Sequence, residues 1–187
     1  IAYLSERSPP FVIKADGLAA GKGVVIAQDL DEAIDAVRGM LSGNLLGDAG
    51  SRIVIEEFLE GEEVSFIVLA DGNNFLPFAS SQDHKAAFDG DNGPNTGGMG
   101  AYSPAPVITP EIHDRIVERI IRPTISGMQH EKHPYTGFLY AGLIIDKDGN
   151  PSVIEFNCRF GDPETQPVMM RLNSDLVELI LAAIDGN

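Results

Sequence analysis

The chain has 187 residues, is 43% hydrophobic and carries a net charge of −15, enough to bury a real core in one domain or two small ones. So acidic a surface repels nucleic acid and anionic lipid, and no apolar run reaches the ~20 residues that span a bilayer, so the reading is no nucleic-acid partner and no membrane. The opening residues do not read as a signal peptide, and the lone Cys158 leaves no intramolecular disulfide, in keeping with a reducing, cytoplasmic setting.

In chain order, residues 1–9 are polar and proline-terminated, a frayed lead-in. Strand Phe11–Lys14 leads into a glycine loop and strand Val24–Ala27. Leu30, Ala33, Ile34, Val37 and Leu41 recur at helical spacing behind Asp29, a good N-cap. Ser42–Ser51 is a Gly/Asn loop, Ile53–Glu57 a strand, and Glu63–Ala70 a strand turned back by Asp71-Gly72 into Phe75–Ala79. A subdomain boundary within Glu57–Gly61 divides the chain into 1–60 and 61–187. Ser80–Ala101 is long, polar and glycine-rich; as a loop of that length it is functional or disordered. Thr109 caps a helix reaching about Glu131, which Pro123 should kink or split. Phe138–Asp146 and Val153–Asn157 form a hairpin, and a last helix covers Leu176–Ala183.

Two stretches carry chemistry. Glu155 and Asn157 are two apart on a strand and so face the same way. A carboxylate and an amide oxygen are hard ligands of the kind Mg²⁺ takes when it also holds phosphates. Arg159 continues the spacing with a fixed positive charge. A buried strand end whose polar residues cap the next helix accounts for this stretch equally well. The second stretch, Pro10–Ile26, reads strand, glycine loop, strand, with Gly17, Gly21 and Gly23 allowing backbone dihedrals other residues avoid and letting amides approach a ligand, and Lys22 at the tip. Three residues separate Gly17 from Gly21 and a strand follows, so it is not a Walker A loop. A flexible hairpin with a solvated lysine fits it too. In so acidic a chain any nucleotide site depends on local cations, and Lys14, Lys22, Lys85 and Arg159 each sit beside a glycine-rich or acidic motif.

Taken together, IKADGLAAGKG (Ile13–Gly23), IEEFLEGEEVS (Ile55–Ser65), SQDHKAAFDGDNGPNTGGMGAYSP (Ser81–Pro104) and YTGFLYAGLIIDKDGNPSVIEFNCRFGDPETQ (Tyr135–Gln166) resemble the ATP-grasp portion of the phosphoribosylamine–glycine ligase family, also called glycinamide ribonucleotide synthetases. The likeness runs from Pro10 to Asn187, and the DHK and NTGGMGAYSP segments narrow it from the ATP-grasp superfamily to this ligase. It implies an α+β fold of two subdomains, each a largely antiparallel sheet with helices on one face, clasping ATP. It also implies a parent polypeptide with further domains before and after this region, on which activity would depend.

The implied reaction joins glycine to 5-phosphoribosylamine through a glycyl phosphate, giving glycinamide ribonucleotide, ADP and phosphate, a step of purine synthesis. The resemblance places Mg²⁺, with Mn²⁺ as an alternative, on Glu155 and Asn157. It places ATP on Lys14, Gly21, Lys22, Gly23 and Glu63, with Glu56, Glu57 and Leu59 as the adenine hinge. Asp83, His84, Asn95, Thr96, Gly97, Gly98, Met99 and Gly100 make a substrate loop, and Lys85 and Arg159 are its catalytic cations. His84 receives no acid–base role, and Cys158 reads as a packed small residue. Another ATP-grasp carboxylate–amine ligase, or an ATP-binding module without catalysis, are the competing readings.

Overall fold

A computed structural model describes every residue except 20–22, 85, 90, 91, 97, 98 and 187, and omits the side chains of 86 and 92–95. The chain divides into two compact units, Ile1–Leu59 and Glu60–Asn187.

The first unit is a three-stranded antiparallel sheet in the order β2-β1-β3, with β1 at Phe11–Ala15, β2 at Val24–Ala27 and β3 at Ile53–Glu57. Alternation along β1 turns Phe11 and Ile13 into the core. Helix α2, which follows the four-residue α1, spans Leu30–Leu41 and buries Ala33, Ala36, Val37 and Met40, spaced three and four apart against that face. The Asp29 carboxylate accepts from Glu32 N–H at 2.8 Å, and the Glu32 carboxylate accepts from Gln28 N–H at 2.7 Å, satisfying two N–H groups at the helix start. The lead-in is not frayed. Ala2–Ser5 form α1, and Leu4 is completely buried in the core with Ile13 and Met40. The Ser42–Ser51 loop contains a 3-10 turn at Gly47–Gly50.

The second unit is built on an antiparallel sheet in the order β11-β10-β4-β5. Strand β4 is Glu62–Asp71 and β5 is Phe75–Pro77; β10 is Thr136–Ile145 and β11 is Pro151–Asn157. Helices cover both faces of this sheet, which corrects the expectation of one. Val64, Phe66, Val68, Leu139, Ala141 and Leu143 pack under Ile116, Ile120, Ile121 and Ile125. On the other side Ile67, Leu69 and Tyr140 meet Val168 of α5 (Thr165–Met169) and Ala183 of α6 (Leu176–Asp185). Both faces of β4 and β10 are apolar, so both need a cover.

Thr109 caps α3 (Pro110–Ile116), and a π-helical stretch at Val117–Ile121 joins it to α4 (Arg122–His130). The wide turn lies just ahead of Pro123, which has no N–H to give, and the Thr124 hydroxyl donates to the Ile120 carbonyl at 2.7 Å. Ser80–Ala101 is not an unstructured loop. It folds as nested antiparallel ribbons, β6 (Gln82–Asp83) with β9 (Ala101–Tyr102), and inside them β7 (Ala86–Phe88) with β8 (Asn92–Asn95). No helix among the described residues is long and apolar enough to cross a membrane.

Candidate functional site

In the first unit, the sheet face away from α2 is open. Lys14 and Val12 lie on it, and their cross-strand partners Val24, Ile26, Val54 and Glu56 share it. Val24, Ile26 and Val54 are 50%, 43% and 42% exposed. A flat apolar surface with a cation at its centre suits a planar heterocycle with an anionic tail. The strand patterns were legible, but the uncovered apolar patch was not read from them. The anion beside Lys14 is Glu56, 2.6 Å from Nζ. Glu57 and Phe58 are exposed and Leu59 is half-buried.

The glycines of the loop act differently from expectation. Neither Gly17 nor Gly23 has a positive φ. Gly17 donates to the Ala49 carbonyl at 3.0 Å, and a Cβ there would lie 2.5 Å from Ala49 Cα. Gly23 accepts from Ala15 N–H at 2.8 Å and is buried. Both serve close backbone packing within the unit. Gly21 and Lys22 lie outside the described residues, as do Lys85, Gly97 and Gly98.

In the second unit, Glu155 pairs with Gly142 and Asn157 with Tyr140, so the two candidate ligands share one sheet face with Tyr140, Ser65 and Ile67. A bulge at Ile154 lies immediately upstream, and from Glu155 on the strand alternates regularly. Asn157 Nδ2 donates to Glu155 Oε1 at 3.1 Å. The two side chains are therefore within reach of one cation once the amide turns its oxygen inward, about a torsion with a broad two-fold profile. Among the described residues no cluster of three or more His, Cys, Asp or Glu surrounds a metal position. A two-ligand site of carboxylate and amide fits an ion that draws its remaining ligands from phosphates and water.

β11 ends at Asn157, and Arg159 lies in the bend beyond it, its guanidinium 5.9 Å from the centre of the Tyr140 ring and bonded to the Phe160 carbonyl at 2.8 Å. Phe160 is wedged edge-on between Phe138 and Phe78, with ring centroids at 4.8 and 5.3 Å, which anchors the bend. Cys158 is exposed and not packed, which corrects its reading as a packed small residue. Its thiol and burial together raise the Tyr135 phenol to about 12, burial being the larger cause.

The candidate substrate segment is held by hydrogen bonds on both sides. His84 N–H donates to the Gly100 carbonyl at 2.9 Å and Met99 N–H to the His84 carbonyl at 2.7 Å. Tyr102 donates to Gln82, and Gln82 donates to the Glu63 carbonyl, each at 3.0 Å. Asp83 pairs with Ala101 in the same ribbon; Thr96 is half-buried and Met99 exposed. Asn95 lies in β8, and its side chain is outside the described set.

One cluster was not anticipated. Ser65, Tyr140 and Glu164 are buried together, Ser65 and Tyr140 on the sheet face that carries Glu155 and Asn157. Ser65 Oγ donates to Glu164 Oε1 at 2.6 Å, and Tyr140 Oη lies 2.9 Å from Ser65 Oγ and 3.2 Å from the same carboxylate oxygen. Burial, with the charges of Glu164 and Glu63 adding, pushes the Tyr140 phenol far above its ordinary range, so it remains a protonated donor. The only local signal was a hydroxyl in each of two otherwise apolar stretches, Ser65 within Val64–Ala70 and Tyr140 within Phe138–Ile145.

A sequence model of the family "phosphoribosylglycinamide synthetase, ATP-grasp (A) domain" matches residues 1–165. A curated phosphoribosylamine–glycine ligase of Vibrio parahaemolyticus is 70% identical over 99% of this chain, and one of Escherichia coli is 70% identical over 100%. The chain spans 43% of the length of each. The crystal structure of a phosphoribosylamine–glycine ligase from Thermotoga maritima superposes with a TM-score of 0.90 at 38% identity, covering 100% of this chain and 47% of that one. The biotin carboxylase domain of a Hydrogenobacter thermophilus 2-oxoglutarate carboxylase shares the fold alone, with a TM-score of 0.68 at 19% identity over 100% of this chain and 38% of that one.

Proposed function

The chain belongs to the phosphoribosylglycinamide synthetase ATP-grasp domain family, and from that premise we propose that it is the nucleotide- and metal-holding part of a cytoplasmic ligase. The ligase joins glycine to 5-phosphoribosylamine with ATP, giving glycinamide ribonucleotide, ADP and phosphate. The observation that carries the reading is 70% identity along the whole chain to curated ligases of that activity. Domains beyond this chain complete the enzyme, since the relatives are more than twice as long.

The task is to hold several anions together: a triphosphate, a carboxylate and a ribose phosphate. Positioning and charge neutralisation do this without a side-chain nucleophile. A glycine carboxylate oxygen attacks the γ-phosphorus, and the bond to ADP breaks. The amine of phosphoribosylamine then attacks the glycyl carbonyl, phosphate leaves with the bonding pair, and the nitrogen loses a proton.

In this reading residues 1–60 carry the lid and adenine hinge, and 61–187 the metal pair and substrate segment. Val24, Ile26 and Val54 offer the base an apolar face, and Lys14 exchanges Glu56 for phosphate. Gly21 and Lys22 meet the phosphates, with Gly23 anchoring their loop to β1; Glu57 and Leu59 meet the adenine edge through their backbone, and Glu63 takes the ribose hydroxyls. Asp83, His84, Asn95 and Thr96, with the glycines around Met99, receive the substrates; Lys85 and Arg159 hold their anions. Glu155 and Asn157 hold Mg²⁺, or Mn²⁺ in its place, which when bound neutralises charge on the transferring phosphoryl group.

The test sets this chain within a polypeptide of the relatives' full length and measures ADP release. ADP formation that requires both glycine and phosphoribosylamine supports the proposal. ADP formation with another amine, or none with a well-folded sample, overturns it.

A further inference from the structure

Among the described residues Glu164 is the one buried carboxylate, 2% exposed. Its Oε1 takes the Ser65 and Tyr140 hydroxyls, while Oε2 has no partner. The loop ahead of it passes so close that a Cβ on Gly161 would lie 2.6 Å from Oε2, and Gly161 itself is buried. Burying a carboxylate is costly unless it is well bonded, so its presence here calls for a reason beyond filling space.

The three partners belong to three segments. Ser65 is on β4, and its backbone exchanges two hydrogen bonds with Ser81, at 2.8 and 3.1 Å, two residues before Asp83. Tyr140 is on β10, paired with Asn157 on one side and beneath the Arg159 guanidinium on its ring face. Glu164 closes the bend that starts at Cys158 and carries Arg159. One carboxylate oxygen therefore ties the substrate segment, the metal-pair strand and the arginine bend to a common point.

We propose that Glu164 is a positioning residue. Through Tyr140 and Ser65 it fixes the place of Arg159 relative to Glu155 and Asn157, so that the arginine's anion and the metal-bound phosphates are held in reacting alignment. The inference rests on the ligase reading. The role is geometric and not one of charge, because Oε1 only accepts hydrogen bonds, and the carbonyl oxygen of glutamine accepts the same two.

The experiment compares Glu164→Gln, Glu164→Ala and Tyr140→Phe in the full-length polypeptide carrying this chain. It reads kcat, KM for ATP and the thermal midpoint of each. Glu164→Gln retains kcat within about threefold, since the bonds to Ser65 and Tyr140 persist. Glu164→Ala lowers kcat by about 10- to 100-fold with KM for ATP little changed, the cost of a misplacement near 1 Å. Adding Arg159→Ala to Glu164→Ala costs much less than Arg159→Ala alone, because the two act through one contact.

If Glu164→Ala does not fold, Tyr140→Phe decides. It keeps the ring under Arg159, loses the hydroxyl, and lowers kcat several-fold while ATP binding stays intact. Three results overturn the proposal: Glu164→Gln as impaired as Glu164→Ala, a lowered thermal midpoint with normal kcat, or full additivity with Arg159→Ala. Inactivity of the unsubstituted enzyme would instead overturn the ligase reading itself.

Discussion

Leu4→Ala probes whether the first residues belong to the fold. Leu4 is completely buried in the first unit's core. Truncation removes three carbons, about 2.4 kcal/mol at about 0.8 kcal/mol each. Helix α1 is a single turn and can relax only partly onto the gap, so a cavity contribution brings the loss to about 3 kcal/mol, inside the usual range of about 2–5. Urea unfolding followed by far-ultraviolet circular dichroism measures it, and at a slope of about 2 kcal/mol per molar the midpoint falls by about 1.5 M. Leu18→Ala is the matched control: the chemistry is the same, but Leu18 is 96% exposed, so the change stays within about 0.5 kcal/mol. If the two variants unfold alike, the segment is detached and the packing argument fails.

Gly17→Ala places a methyl against the Ala49 backbone, and about 1–3 kcal/mol of overpacking is expected in the same unfolding assay; an unchanged midpoint would mean that the loop simply moves aside. Asp71 is held below its ordinary range by the Asn74 and Asn73 N–H groups, and Asp146 by the N–H and side chain of Asn150. Depressed folded values stabilise above the unfolded value of about 3.9 and lose that contribution as pH falls through the lower folded value. The deficit of Asp71→Ala relative to the parent should therefore be larger at neutral pH than in acid, and a pH-independent deficit would show that the carboxylate's charge does not matter. Cys158, being exposed, should react fully with a disulfide reagent without denaturant; a thiol that labels only in urea would contradict that placement.

Local signals carried much of the fold. Strand β3 occupies the span its β-branched run predicts, and the capping aspartate and threonine, Asp29 and Thr109, start their helices as their side chains dictate. What escaped depends on contacts between distant segments. A second helical layer over the β4–β10 sheet follows from both faces being apolar, yet nothing local says that α5 and α6 supply it. Ser80–Ala101 is rich in glycine and polar residues, and only cross-strand pairing turns it into ribbons. Of the candidate site, the Glu155–Asn157 spacing was legible because a strand alternates with period two. Glu164 was not, because its partners lie 24 and 99 residues away. Gly17 was read for its conformational freedom, whereas the structure uses it for lack of a side chain.

The central claim is that Glu155 and Asn157 hold the cation that holds the nucleotide. Calorimetric titration of ATP into this chain, with Mg²⁺ and then with EDTA, beside Glu155→Ala, tests it most directly. The account predicts saturable binding that Mg²⁺ strengthens and that Glu155→Ala weakens by about tenfold or more, since a hard anionic ligand is lost. Binding indifferent to both EDTA and the substitution would contradict it.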